Sequence, residues 1–314
     1  QRNEGADDYV LWVEGFDPNE PFDCPREYVD RYGDDWKGPR YDWTTYREVE
    51  EGEEATTHLR RQYAGTVSMA DEYLGKLFDE LERQNSFDDT LIILTTDHGH
   101  LIGEHDSTGK NRWHVWNELG NIPLVIKLPG NLHAGQRRSQ LTQNIDMMPT
   151  LLDFFNVSFE HPIHGESLKE VLEKDAPVKR KAALYGWFGM PVNVTDGSFT
   201  YMRAAAREDN GPLYQHFLSP TSYHFHEVPG AQFFEDAEFG QFLPYTDLAV
   251  LRTRWHMNRW STVKDTQLFN IEDDPGQLRN LAGSEMEEKY VELLKQTMRE
   301  MDSPEGQYER LGLI

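Results

Sequence analysis

The sequence predicts an α/β protein: a mostly parallel or mixed central sheet flanked by helices, with a smaller C-terminal α+β subdomain. Two observations carry that prediction. Residues 91–96 and 122–128 are predominantly apolar, as strands covered on both faces are. Strand-like and helix-like patterns also alternate along the first half of the chain, which is how a layered α/β sheet is built. At 314 residues the chain is long enough for one large domain or two.

The elements follow in order. Residues 9–16, YVLWVEGF, read as a buried strand, and they run into a loop that Pro18, Pro21 and Pro25 keep extended. A long amphipathic helix is expected over residues 58–84. Leu59, Tyr63, Val67, Ala70, Leu74, Leu77 and Leu81 form its apolar stripe at three- and four-residue spacing. The stretch NSFDD breaks that pattern before the strand at 90–96. A second strand at 122–128 stops at Pro129-Gly130, and a helix over 146–155 tolerates Pro149 in its first turn. After about residue 181 the character changes to short strand-like runs at 182–188, 199–205 and 266–271. A last helix starts at Ser284, which with Glu287 has the spacing of a capping box, and presents Tyr290, Leu293, Leu294 and Met298. The division expected is therefore 1–181 for the α/β domain and 182–314 for a subdomain with a small antiparallel sheet and a terminal helix. Residues 207–247 form a long, aromatic-rich, irregular stretch suited to a lid or an interface.

Bulk properties exclude several functions. The net charge is −24, from 55 acidic and 31 basic residues, so the long-range field repels nucleic acid and anionic membrane surfaces. Mean hydropathy is −0.73, and no apolar run approaches the ~18 residues a membrane helix requires. Cys24 is the single cysteine, which forbids an intrachain disulfide and leans toward a reducing, cytoplasmic location. Oligomeric state is not written in the sequence, and a homo-oligomer stays open.

The chemistry concentrates in residues 91–110, LIILTTDHGHLIGEHDSTGK. Ligands of open α/β sheets bind beyond the carboxyl ends of the strands, where Asp97 and His98 fall. A carboxylate and an imidazole side by side can share one divalent cation if the backbone turns sharply, as Gly99 allows. Lys110, twelve residues beyond His98, can neutralise an oxyanion held at that metal. The blander alternative has Asp97 capping a turn while the histidines and Lys110 keep a loop soluble.

The order of motifs adds a resemblance. LWVEGFDPNEPFDCP resembles the strand and F-D-P-H-x-P segment of sulfatases. YAGTVSMADEYLGKLFDELERQNSFDDTLIILTTDHGHLIGEH is similar to the family's long helix and metal-binding strand. IPLVIKLPG, NIDMMPTLLDFFNV, HGESL, DGSFTYMR and QLFNIEDDPGQLRNLAG then follow in the family's order, making seven collinear segments between residues 9 and 283. The resemblance is to the sulfatases of the alkaline phosphatase superfamily. It implies that Asp97 and His98 are metal ligands, with Ca2+ usual and Mn2+ in some relatives. It also implies that Lys110 contacts the sulfate or phosphate oxygens. The implied reaction is hydrolysis of a sulfate ester of a small molecule or saccharide, with phosphonate monoester or phosphodiester hydrolysis, or an inactive binding module, as alternatives.

Two departures accompany the resemblance. The family's paired acidic ligands and its C-x-P-S-R motif, whose Cys becomes formylglycine, have no counterpart here. Cys24 lies after the F-D-P segment, where the family's nucleophile does not occur. The expectation is that formylglycine belongs to an N-terminal segment absent from this chain, which alone would be inactive. The second departure is Asn19, which stands where the family's F-D-P-H has its histidine. An amide donates a hydrogen bond to substrate but transfers no proton near neutral pH. His105 and His114 are the candidate replacements as acid, and Arg112 is a further anion contact. Tyr223, His224, Phe225, His226, Phe233 and Phe234, or Trp113 and Trp116, are candidates for a sugar or aryl pocket.

Overall fold

Residues 8–111, 114–218, 234–255 and 265–314 are described in a computed structural model of the chain. In chain order the helices are α1 (Arg26–Asp30), α2 (Glu53–Arg83), α3 (Asn117–Gly120), α4 (Met147–Phe154), α5 (Lys169–Lys174), α6 (Met286–Glu300) and α7 (Glu305–Arg310). The early strands are β1 (Ile92–Thr95), β2 (Leu101–Ile102), β3 (Thr108–Gly109) and β4 (Leu124–Lys127). The later ones are β5 (Ala183–Gly186), β6 (Val192–Thr195), β7 (Phe199–Arg203), β8 (Tyr214–Phe217), β9 (Glu238–Gly240), β10 (Val250–Arg254) and β11 (Gln267–Asn270). The chain divides into two compact units interleaved in sequence. The first takes the described residues up to 111 with 118–138 and 169–176; the second takes 114–117, 139–168 and those from 177 onward.

In the first unit α2 starts five residues earlier than its apolar stripe suggests. Gly52, at φ 83°, turns the chain in, and Glu53 and Glu54 place negative charge on the first turn, where the helix dipole favours it. Its fully buried residues all lie between Ala55 and Thr66, while Ala70, Leu74, Leu77 and Leu81 of the stripe are half-buried. Leu59 packs there with Phe22 and Ile102.

Strands β1 and β4 form where the apolar runs predict them, but they pair antiparallel, from Ile92↔Lys127 to Thr95↔Leu124. All pairings among the described strands are antiparallel. The α/β class holds; the expected parallel pairing does not, because an apolar run specifies burial and says nothing of strand direction. Leu94 and Val125 are exposed on this pair. Residues 9–16, expected as a buried strand, are exposed and form none. Apolar composition makes a strand only where a neighbour takes its backbone N–H and C=O groups, and no described strand does so here.

In the second unit β11-β7-β6-β5 make a four-stranded antiparallel sheet, and β8-β10-β9 make a three-stranded one. The four-stranded sheet and α6 share a core in which Val194, Tyr201, Leu268, Tyr290 and Leu294 are fully buried. Helix α6 has the apolar face its spacing predicts, but Ser284 makes no side-chain cap. Glu287 instead accepts from the Gly283 N–H at 2.5 Å and from the Tyr201 hydroxyl at 2.8 Å, tying the helix start to β7. Asp146 enters α4 buried and fully engaged. It accepts two hydrogen bonds from Arg180, both at 2.6 Å, and others from the Gln143 and Glu166 amides at 2.7 and 2.9 Å.

Candidate active site

A small hairpin assembles the site in the first unit. Strands β2 and β3 pair Leu101 with Gly109. Continuing that register sets Lys110 opposite His100, although ten residues separate them in sequence. Facing them is the loop after residue 16. Its anchor is Phe22, buried against Tyr63 (5.2 Å between ring centroids) and His100 (5.4 Å), with its N–H bonded to Asp42 O at 2.7 Å. This anchor holds Asn19 and Glu20 against the hairpin.

Lys110 is 11% exposed, and its ammonium donates to Asn19 Oδ1 and to Glu20 Oε2, the latter at 3.1 Å. Glu20 is only 4% exposed and also accepts a hydrogen bond from the Tyr46 hydroxyl. His100 Nδ1 lies 3.6 Å from the same carboxylate, and its Nε2 meets Thr44 Oγ1 at 3.1 Å. Burial raises the Glu20 carboxyl, but the hydrogen bonds from Tyr46, its own backbone amide and Lys110 outweigh burial and hold it below the ordinary value. Burial pushes the His100 imidazole down to about 4. At neutral pH the network is therefore an ammonium–carboxylate pair beside a neutral imidazole. Among the described residues, Lys110 spends two of its three N–H groups on Asn19 and Glu20, and Asn19 keeps its amide N–H groups.

Asp97 and His98 follow β1. The Asp97 side chain is 81% exposed, and its Oδ1 accepts from the His98 backbone N–H at 2.9 Å. His98 Nδ1 donates to Gly99 O at 2.9 Å, which leaves its Nε2 lone pair 3.4 Å from Asp97 Oδ2. A hard carboxylate oxygen and an imidazole lone pair side by side fit two positions in the shell of a divalent cation. Among the described residues no group of three or more His, Cys, Asp or Glu side chains converges as a metal site. Gly99 is needed for close approach: a Cβ there would lie 1.8 Å from Glu118 O.

The other candidates fall elsewhere. His105 takes a left-handed backbone (φ 51°), and its Nε2 meets Glu118 Oε2 at 3.3 Å. His114 belongs to the second unit, buried, with its Nε2–H donated to Asp265 O at 2.6 Å. Trp116 is buried too, with its indole N–H donated to Gln267 Oε1 at 3.2 Å. Arg112, Trp113, Tyr223, His224, Phe225, His226 and Phe233 lie outside the described residues. Cys24 is no activated thiol: burial, then the charges of Asp23 and Asp17, push it up. Sequence reasoning missed Glu20 and Tyr46. The hint for Glu20 was a carboxylate held between two prolines.

The shift at Glu20 gives a testable pH dependence. Its folded carboxyl lies below the ordinary value of 4.5, so its contribution is complete above that pH and is lost as pH falls through the folded pKa. Glu20→Gln is expected to lower stability at pH 7 by ~3 kcal/mol, because Lys110 loses its buried partner. In urea unfolding, the gap between the two proteins should close as pH drops below 4.5; an unchanged gap at pH 3 (about 1.5 units lower) would remove the carboxylate from the account.

The family model described as Sulfatase matches residues 16–157. An N-acetylglucosamine-6-O-sulfatase of Bacteroides thetaiotaomicron is 37% identical over 134 residues, which are 42% of this chain and 24% of that protein. The multifunctional alkaline phosphatase superfamily protein PehA of Trinickia caryophylli is 32% identical over 179 residues, 54% of this chain and 34% of that protein. Among solved structures, BT4656 in complex with D-glucosamine-2-N,6-O-disulfate superposes with a TM-score of 0.57 at 23% identity, over 80% of this chain and 42% of that one. That likeness speaks to the fold. The chain matches less than half the length of each of these relatives.

Proposed function

We propose, from the premise that residues 16–157 of this chain are sulfatase-family sequence, that the Lys110 network is the anion-holding half of a sulfuric-ester hydrolase site. The observation that supports the reading is a nearly buried ammonium, held by Asn19 and Glu20 through two of its three N–H groups. Its donors suit an oxyanion of sulfate size, and a cation in a poorly solvated position stabilises charge more than it would in water.

Lys110 would contact the sulfuryl oxygens, where negative charge gathers as the ester bond breaks. Glu20, tied by Tyr46, would keep Lys110 from swinging away. Asn19 would donate its amide to a second oxygen and, lacking an acidic proton, would favour esters whose alcohol leaves unaided. Asp97 and His98 would hold a divalent cation, with Ca2+ suited to the carboxylate oxygen, and such a cation when bound supplies Lewis-acid charge stabilisation. The substrate class is a sulfated saccharide or small sulfate ester. Formylglycine, the family's nucleophile, has no counterpart among the residues of this site.

The test is turnover by the protein carrying this chain, supplied with Ca2+, of 4-nitrophenyl sulfate against phenylphosphonate and bis(4-nitrophenyl) phosphate. Sulfate hydrolysis should exceed both. Faster phosphonate or diester hydrolysis would make it a phosphonate monoester or phosphodiester hydrolase. No turnover, with sulfate still bound at Lys110, would make it a binding module.

A further inference from the structure

A cavity of about 300 Å³ lies beside α2, and its lining shares no residue with the Lys110 network. His58 and Gln62 stand one helical turn apart on α2 and both face it. His58 is 5% exposed, and its Nδ1–H donates at 2.9 Å to Asp34 Oδ1. Asp34 is itself buried and held by Arg26 Nη1 at 3.1 Å. The His58 ring stacks on Trp36, with 5.2 Å between centroids and 15° between planes. Asp34 and Trp36 thus fix the imidazole and leave Nε2 as its free ring atom. Among the described residues, neither His58 Nε2 nor the Gln62 amide has a hydrogen-bond partner. With its Nδ1–H satisfied by a buried carboxylate, the imidazole has its second ring nitrogen available to a ligand in the cavity.

The charges on the rim select the ligand. Arg40 is held by Asp23 at 3.0 Å and by Asp42 at 2.5 Å, and Arg26 by Asp30 at 2.6 Å as well as by Asp34. Every rim guanidinium is already neutralised, so an inorganic anion finds no spare positive charge. An imidazole and a carboxamide side by side offer donors and acceptors together, which matches vicinal hydroxyls. The volume is at the lower end for small-molecule sites, enough for one ring. We propose that this cavity binds one neutral sugar ring. The inference does not depend on the hydrolase reading.

The test is a titration of the whole chain with N-acetylglucosamine, followed by 1H–15N shifts of the Trp36, His58 and Gln62 side chains. Saturable shifts at those three are expected, with affinity on the order of millimolar. Gln62→Ala, at a half-exposed position, should weaken binding about fivefold, the worth of one hydrogen bond, without moving the melting temperature. Inorganic sulfate should leave all three signals in place. The proposal is overturned if sulfate shifts them, if the sugar does not, or if Gln62→Ala binds the sugar as well as the parent.

Discussion

Lys110→Ala is expected to lower kcat/KM for 4-nitrophenyl sulfate by ~10²–10³-fold, the usual loss when one preorganised charge at an oxyanion is removed. Because Lys110 would meet oxygens that gain charge on the way to the transition state, the loss should fall mostly in kcat. The same substitution carries a structural penalty. It leaves the buried Glu20 carboxylate without its cation, and breaking such a pair from one side costs ~3–5 kcal/mol. The two effects separate in a double-mutant cycle. Adding Glu20→Gln to Lys110→Met should restore part of the stability, since no buried charge is left unpaired, while hydrolysis stays lost. Recovery of activity with stability would mean that Lys110 serves the fold alone. Full activity in a folded Lys110→Ala protein would remove Lys110 from the reaction.

The second large effect lies in the other unit and concerns stability alone. Asp146→Ala is expected to destabilise the protein by ~3–5 kcal/mol, lowering the melting temperature by about 10 °C. Asp146 and Arg180 are buried, joined by two 2.6 Å hydrogen bonds, and the same carboxylate holds the amides of Gln143 and Glu166. Desolvation pulls the Arg180 guanidinium down, yet its bond to Asp146 more than offsets this and raises it. Without Asp146 that compensation is gone. Removing both charges, as Asp146→Leu with Arg180→Met, should cost less than Asp146→Ala, because the desolvation of two ions is relieved together. A change below ~1 kcal/mol for Asp146→Ala, measured by urea unfolding, would show that water replaces the carboxylate easily.

Local pattern alone determined a good part of this protein. The apolar stripe of α2, the runs at β1 and β4, the face of α6 and the pairing of Asp97 with His98 are properties of neighbouring residues, readable from spacing and side-chain chemistry. Lys110 is singled out in the sequence by its place in an ordered series of motifs. Only the tertiary structure decided what those pieces meet. Residues 9–16 carry strand composition yet pair with nothing described, and β1 and β4 run antiparallel, because strand pairing depends on a partner's position. Glu20 became the partner of Lys110 across ninety residues of chain, and His105 and His114 were each claimed by other groups. Spacing along the chain shows which charges exist; only folding shows which of them share a desolvated space, and there the interactions are strongest.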